Sequence, residues 1–142
     1  MEQNYQNHIR IITGYHRILA ALLVLGLIGS IVNLSKSMGS DELYSASLIV
    51  LLFICGMFLF WYSRSFALKA QDRAIRAEEN FRYYILTGKT LPTALRMGQI
   101  VALRFAPDEE FSTLAERALK ENLSSKAIKQ AIKNWKADYD RA

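Results

Sequence analysis

The sequence predicts an all-α membrane protein: a two-span transmembrane hairpin whose second span continues as a long cytoplasmic helix, followed by about three short helices. Three observations carry this expectation. Ile18–Ser35 and Leu43–Ser63 run for 18 and 21 residues without a charged side chain, and about 20 apolar residues at a rise of roughly 1.5 Å match the hydrocarbon thickness of a bilayer. Neither Pro nor Gly falls between Trp61 and Thr87, and strong helix formers (Ala67, Leu68, Lys69, Ala70, Gln71, Arg73, Ala74) carry the second run onward. Beyond Pro92 come three short amphipathic stretches, two of which open on helix-start signals. The 142 residues are the size of one ordinary domain, and the net charge of +5 resides after Ser63, where 15 Lys and Arg face 10 Asp and Glu.

In chain order, residues 1–17 form a polar cytoplasmic segment with Tyr5, His8, Arg10, Tyr15, His16 and Arg17. The first span, 18–35, lies far from the start and lacks the small-residue cleavage site of a signal peptide, so it reads as retained. Gly26 and Ser30 stand four apart with Gly29 beside them, a spacing that permits close contact between spans and that also arises incidentally. The link 36–42 contains Gly39 between Ser37 and Ser40, and Asp41 and Glu42 precede the N-terminus of the second span. Basic residues set the orientation: the link holds only Lys36, whereas Arg10 and Arg17 flank the first span and Arg64, Lys69, Arg73 and Arg76 follow the second. Both termini are therefore expected in the cytoplasm, with the link outside. Phe60, Trp61 and Tyr62 end the second span as an aromatic belt.

Residues 64–88 read as a helical stalk. Ala67, Ala70, Ala74, Ala77, Phe81 and Tyr84 recur at alternating spacings of three and four, a heptad-like seam expected to receive another helix. That helix is either the folded-back tail or a partner. Alanine buries little area, so Phe81 and Tyr84 must anchor whatever packs there. Asp72 with Arg76 and Glu78 with Arg82 are spaced for i,i+4 pairing. Gly88 is a natural C-cap. Gly88-Lys89-Thr90 looks like the end of a phosphate-binding loop, but the required preceding glycine and strand are absent, which rejects that reading.

The tail, 89–142, reads as three helices. Thr93–Phe105 carries Ala94, Leu95, Met97, Val101, Ala102 and Phe105 on a broad apolar surface, with Arg96 and Arg104 at its edges. The second opens with Pro107 at its first position and Asp108, Glu109 and Glu110 in its first turn, then closes at Asn122. Ser124 caps the third, whose apolar stripe takes in Ile128, Ala131, Ile132, Trp135 and Tyr139. Lys126, Lys129, Lys133 and Lys136 repeat beside that stripe. Two readings stand: lysines simply solvated on a packed helix, or lysines on anionic headgroups with Trp135 at the interface.

Signs of catalysis are scarce, and no enzyme, cofactor or metal site is expected. Cys55 is the only cysteine and lies in the second apolar run, where it reads as a small apolar-compatible side chain. His8 and His16 would stand about 12 Å apart along a continuous helix, too far to share one metal ion. Asp108, Glu109 and Glu110 are what an acidic first turn ordinarily carries. Neither span holds an Asp, Glu, Lys, Arg or His side chain, which argues against a transport pathway. No nucleic-acid motif marks the basic tail, so nucleic acid is not an expected partner.

The runs Arg64-Ser-Phe-Ala-Leu-Lys, Gln71-Asp72-Arg73, Glu78-Glu79, Ala102-Leu-Arg-Phe-Ala106 and Asp108-Glu109-Glu110 resemble a family of small bacterial two-span membrane proteins catalogued only as a domain of unknown function. Glu121-Asn122-Leu123-Ser124, Ile132-Lys133-Asn134-Trp135 and the opening Gln3-Asn4-Tyr5 with Asn7-His8 and Arg10 are also similar to it, so the resemblance covers nearly all of the chain outside the spans. It implies an architecture and a bacterial cytoplasmic membrane but no activity. Where the family carries Ser before the acidic turn, this chain has Ala106-Pro107, which weakens the cap and leaves the helix start in place.

The function expected from all this is a non-enzymatic membrane-anchored adaptor or accessory subunit, presenting stalk and tail to a larger membrane complex or to another copy of itself. A lipid-binding organiser using Lys126, Lys129, Lys133, Trp135 and Lys136 is the second expectation. A redox accessory protein using His8 and His16 is the third.

Overall fold

A computed structural model describes residues 3–7 and 11–139, and among these every regular element is helical. A π-helical turn, Gly14–Leu19, runs into α1, Ala20–Lys36; α2 follows at Leu43–Thr87, then α3 at Met97–Leu103, α4 at Asp108–Lys120 and α5 at Ser125–Ala131. The chain divides into two compact units, a hairpin of residues 11–67 and a head built from 68–142 with the first ten residues. The division falls inside α2, which is helical without interruption over its 45 residues.

In the hairpin, small residues decide where the two helices meet. A Cβ built at Gly26 would stand 2.1 Å from Cε1 of Phe53, so no larger residue fits there while Phe53 keeps its rotamer. Gly56 faces Leu23 more loosely, with an added Cβ at 3.2 Å from Leu23 Cδ2. Ser30 and Ala46 are buried, and the Ser30 hydroxyl donates to the Leu27 carbonyl at 2.8 Å. Helical structure begins at Gly14, four residues before the expected first span, because Tyr15 has a partner: its ring stacks on Phe60 at 4.4 Å, and its hydroxyl donates to the Phe60 carbonyl. Of the expected aromatic belt, Trp61 and Tyr62 are exposed while Phe60 is turned to Tyr15. Gly39 takes the left-handed conformation that the link needs, φ 84°.

Leu22, Leu25, Ile28, Leu51, Leu52, Phe58 and Leu59 are all more than half exposed. The most apolar stretch of each hairpin helix has a mean hydropathy of 2.4 and only 6% of its residues buried. A core helix in a water-soluble protein is mostly buried, whereas this outward greasy surface suits lipid. Both helices are long and apolar enough to cross a membrane.

The head surrounds a core of Ile75 and Tyr83 from α2, Leu91 and Leu95 from the following loop, Ile100 and Leu103 from α3, Phe111 and Leu114 from α4 and Ile128 from α5. Gly88, at φ 70°, ends α2 and donates its N–H to the Tyr84 carbonyl at 2.8 Å. The three tail helices are shorter than their periodicity suggests, each for a local reason. Helix α3 starts at Met97 rather than Thr93 because Arg96 is extended, and the Gln99 side-chain oxygen accepts from its N–H at 2.8 Å. Pro107 serves as the extended cap of α4 instead of its first helical residue, a one-residue difference. Asn122 sits at φ 48° just past the end of α4. Ser124 caps α5 by accepting from the Ala127 N–H at 3.1 Å, but α5 stops at Ala131. The chain beyond it is a non-helical strap, since the Glu110 carboxylate accepts the Lys133 and Asn134 N–H groups at 2.9 Å each. Trp135 then stacks on Phe105 at 4.5 Å, and the Lys136 N–H donates to the Phe105 carbonyl at 2.8 Å.

Candidate interaction surface on α2

Two rows of α2 differ in what covers them. Ile75, Glu79 and Tyr83, each four residues after the last, are buried at 3, 4 and 4% exposure. This is the row on which the tail packs. Ala70, Ala74, Ala77, Phe81 and Tyr84 of the expected seam, with Ala67 before them, are all exposed. At about 100° per residue the two rows fall on roughly opposite faces of the helix. The tail therefore folds back on a face other than the seam, and Phe81, Tyr84 and the adjoining Ile85 remain 65, 56 and 66% exposed.

The buried row was hard to read from the sequence because its centre is charged. Arg82 is what makes Glu79 tolerable inside. Its Nη1 donates to Glu79 Oε2 at 3.1 Å, its Nε to Asp108 Oδ1 at 2.6 Å and its Nη2 to the Ala106 carbonyl at 2.7 Å. The same guanidinium lies 4.3 Å over the Phe111 ring, whose edge meets Tyr83 with centroids 6.0 Å apart. One arginine thus ties α2 to the start of α4. The expected Glu78–Arg82 pair is replaced by Arg82 with Glu79 and Asp108, and Arg76 reaches the Leu95 carbonyl at 3.4 Å instead of Asp72. Tertiary acceptors, together with Glu79 three residues before Arg82 on α2, displaced the i,i+4 pairs, which contribute only a few tenths of a kcal/mol each.

Burial pushes the Glu79 carboxyl above the usual range; the nearby Arg82, and then Lys136 and Arg104, oppose that rise without cancelling it. The Tyr83 hydroxyl is likewise raised, by burial first and the Glu116 charge second. Arg104, 9% exposed, pairs with Asp138 on the strap, and Gln3 brackets the Asp138 backbone, accepting its N–H at 2.7 Å and donating to its carbonyl at 2.9 Å. Arg104 and Asp138 line a cleft of about 410 Å³ with Ala74, Glu78, Glu79 and Lys136.

The lysine row does not continue along one helix: Lys126 and Lys129 are on α5, while Lys133, Trp135 and Lys136 belong to the strap. Trp135 is half-buried against Phe105, and the Lys129 ammonium lies 5.4 Å over that same ring. Gly26 meets Phe53 and Ser30 is buried, as described above. His8 and Arg10 lie outside the described residues. The His16 Nδ1 is 3.1 Å from the Ile12 backbone nitrogen, and Cys55 is exposed on the hairpin. Among the described residues, no three His, Cys, Asp or Glu side chains come together as a metal site would require.

No curated protein and no solved structure matches the chain. The chain matches a family profile that takes in the spans as well as the motifs quoted from the stalk and tail. Residues 1–142 match the family of unknown function DUF6526 throughout, and the chain belongs to that family.

Proposed function

We propose that the protein is a non-enzymatic, membrane-anchored adaptor or accessory subunit of a larger complex in a bacterial inner membrane, both termini in the cytoplasm. The observation that carries this reading is the uncovered row Ala70, Ala74, Ala77, Phe81 and Tyr84, on the face of α2 away from the core of the head. Aromatic anchors beside small residues let a partner helix approach closely and still bury area. The partner is another subunit or a second copy of the chain. Arginine and lysine placement supports the orientation, with Lys36 alone in the link. The lipid-organiser reading has less support, because Trp135 is engaged with Phe105.

Gentle detergent extraction of native membranes tests the proposal. The wild-type chain should migrate as part of a larger assembly, and Ala70→Glu with Ala74→Glu should release it with helix content retained. An unchanged size together with an unchanged fold would remove the adaptor reading.

A further inference from the structure

The head has a second cleft, of about 610 Å³, between α2 and the loop that follows it. Its polar lining is made of Arg73, Arg76, Asn80, Thr90 and Thr93, with Leu91 and Ile100 as apolar wall. No carboxylate lines it. Among the described residues neither arginine has an ion-pair partner, although Asp72 is adjacent to one and four residues from the other. Arg76 makes one long hydrogen bond, to the Leu95 carbonyl at 3.4 Å, which leaves most of its donors uncommitted.

The wall is built firmly enough to hold a shape. Asn80 Oδ1 accepts the Leu91 N–H at 2.8 Å, and Leu91 and Leu95 are both buried in the core. With its oxygen engaged, Asn80 offers the cleft an amide N–H pair. The lining is then two guanidinium groups, one amide donor and two hydroxyls, with no ionised acceptor to compete. Planar guanidinium forks match phosphate oxygens two at a time. The volume lies within the range of small-molecule sites, about 300–1,000 Å³, so more than the phosphate itself fits against Leu91 and Ile100. Gly88 and Lys89 do not line the cleft, so its recognition chemistry differs from that of a phosphate-binding loop.

We propose that this cleft binds a phosphate-bearing ligand, with Arg73 and Arg76 holding the phosphate and Thr90 and Thr93 donating hydroxyl hydrogen bonds. A soluble phosphate compound and a lipid headgroup share that chemistry. Ala77 of the uncovered row borders the cleft, and the inference rests on the polar lining rather than on a helix docking on that row.

The test uses the full chain in phosphatidylcholine nanodiscs. In one arm inorganic pyrophosphate is titrated by calorimetry; in the other, nanodiscs containing phosphatidylglycerol are compared with pure phosphatidylcholine by hydrogen exchange of residues 88–96. Saturable pyrophosphate binding that weakens at least tenfold in Arg73→Gln with Arg76→Gln identifies a soluble ligand class. Protection by phosphatidylglycerol alone, lost in the same variant, identifies a headgroup. No response in either arm, or responses that the substitutions leave unchanged, overturns the proposal. If that variant does not fold, Thr90→Val with Thr93→Val decides: at least threefold weaker binding or clear loss of protection upholds it, and an unchanged response overturns it.

Discussion

The hairpin and the head are held together by different means. In the hairpin the helices meet where side chains are missing, at Gly26 against Phe53 and Gly56 against Leu23, and most large apolar groups face outward. In the head an apolar core faces inward while Phe81, Tyr84 and Ile85 stay exposed, and the joints between elements are made by charge and backbone recognition, Arg82 above all. Two solvents select for such a difference. Lipid gives apolar side chains no reason to hide, so steric fit decides contact; water drives them inward and leaves polar groups to fix register.

The largest expected effect comes from removing the charge that the head depends on. Arg82→Ala should destabilise the head by about 3 kcal/mol or more, because it leaves the Glu79 carboxylate buried and unpaired. Hydrogen exchange of α4 amides in the full chain reads this, and adding Glu79→Gln should restore part of the loss. If Arg82→Ala alone leaves α4 protection unchanged, the head is held by apolar packing and the contrast with the hairpin disappears.

Gly26→Leu should weaken the hairpin by about 1–3 kcal/mol through overpacking on Phe53, with Phe53→Ala as the relieving second change. Disulfide formation between Leu23→Cys and Gly56→Cys in a Cys55→Ser background measures it. The pair should cross-link readily in the parent and poorly with Gly26→Leu, while α4 protection stays unchanged in both.

Acid should act on Glu79 in an unusual direction. Its folded pKa is raised above the ordinary 4.5, so the folded state binds a proton more tightly than the unfolded one. Above 4.5 its contribution to stability therefore falls as pH rises through the folded value, and the penalty is relieved on acidification toward 4.5. The stability of wild type minus that of Glu79→Gln, followed by denaturant titration from pH 4.5 upward, should decline across that window. A difference that grows with pH would mean that the arginines, not burial, set this carboxyl. Smallest is the α5 cap: Ser124→Ala should cost about 1 kcal/mol, seen as faster exchange confined to α5.

Much of this architecture was written plainly in the chain. Charge-free runs of bilayer length mark the hairpin helices, and Gly88, Asn122 and Ser124 mark three helix boundaries because each does a backbone job that few residues do. The packing face of α2 was hidden. Periodicity favoured the alanine row because its members are all apolar, whereas the row that is buried carries Glu79, which looks solvent-facing until Arg82 is placed beside it. The end of α5 was hidden too. Nothing between Ala131 and Tyr139 breaks a helix, and the strap exists because Glu110, twenty-three residues before Lys133, captures its backbone. Sequence distance conceals such contacts. The uncovered Phe81 and Tyr84 were named from spacing, but that the tail would leave them bare needed the fold.

Whether the uncovered row of α2 receives the proposed partner is decided by labelling single cysteines in a Cys55→Ser background with a water-soluble maleimide, in inside-out native membranes and again after detergent purification. We expect Ala74→Cys and Phe81→Cys to be protected in the membranes and reactive once purified, while Ile75→Cys stays unreactive in both. Equal reactivity of Ala74→Cys and Phe81→Cys before and after purification, or ready labelling of Ile75→Cys, would contradict the account.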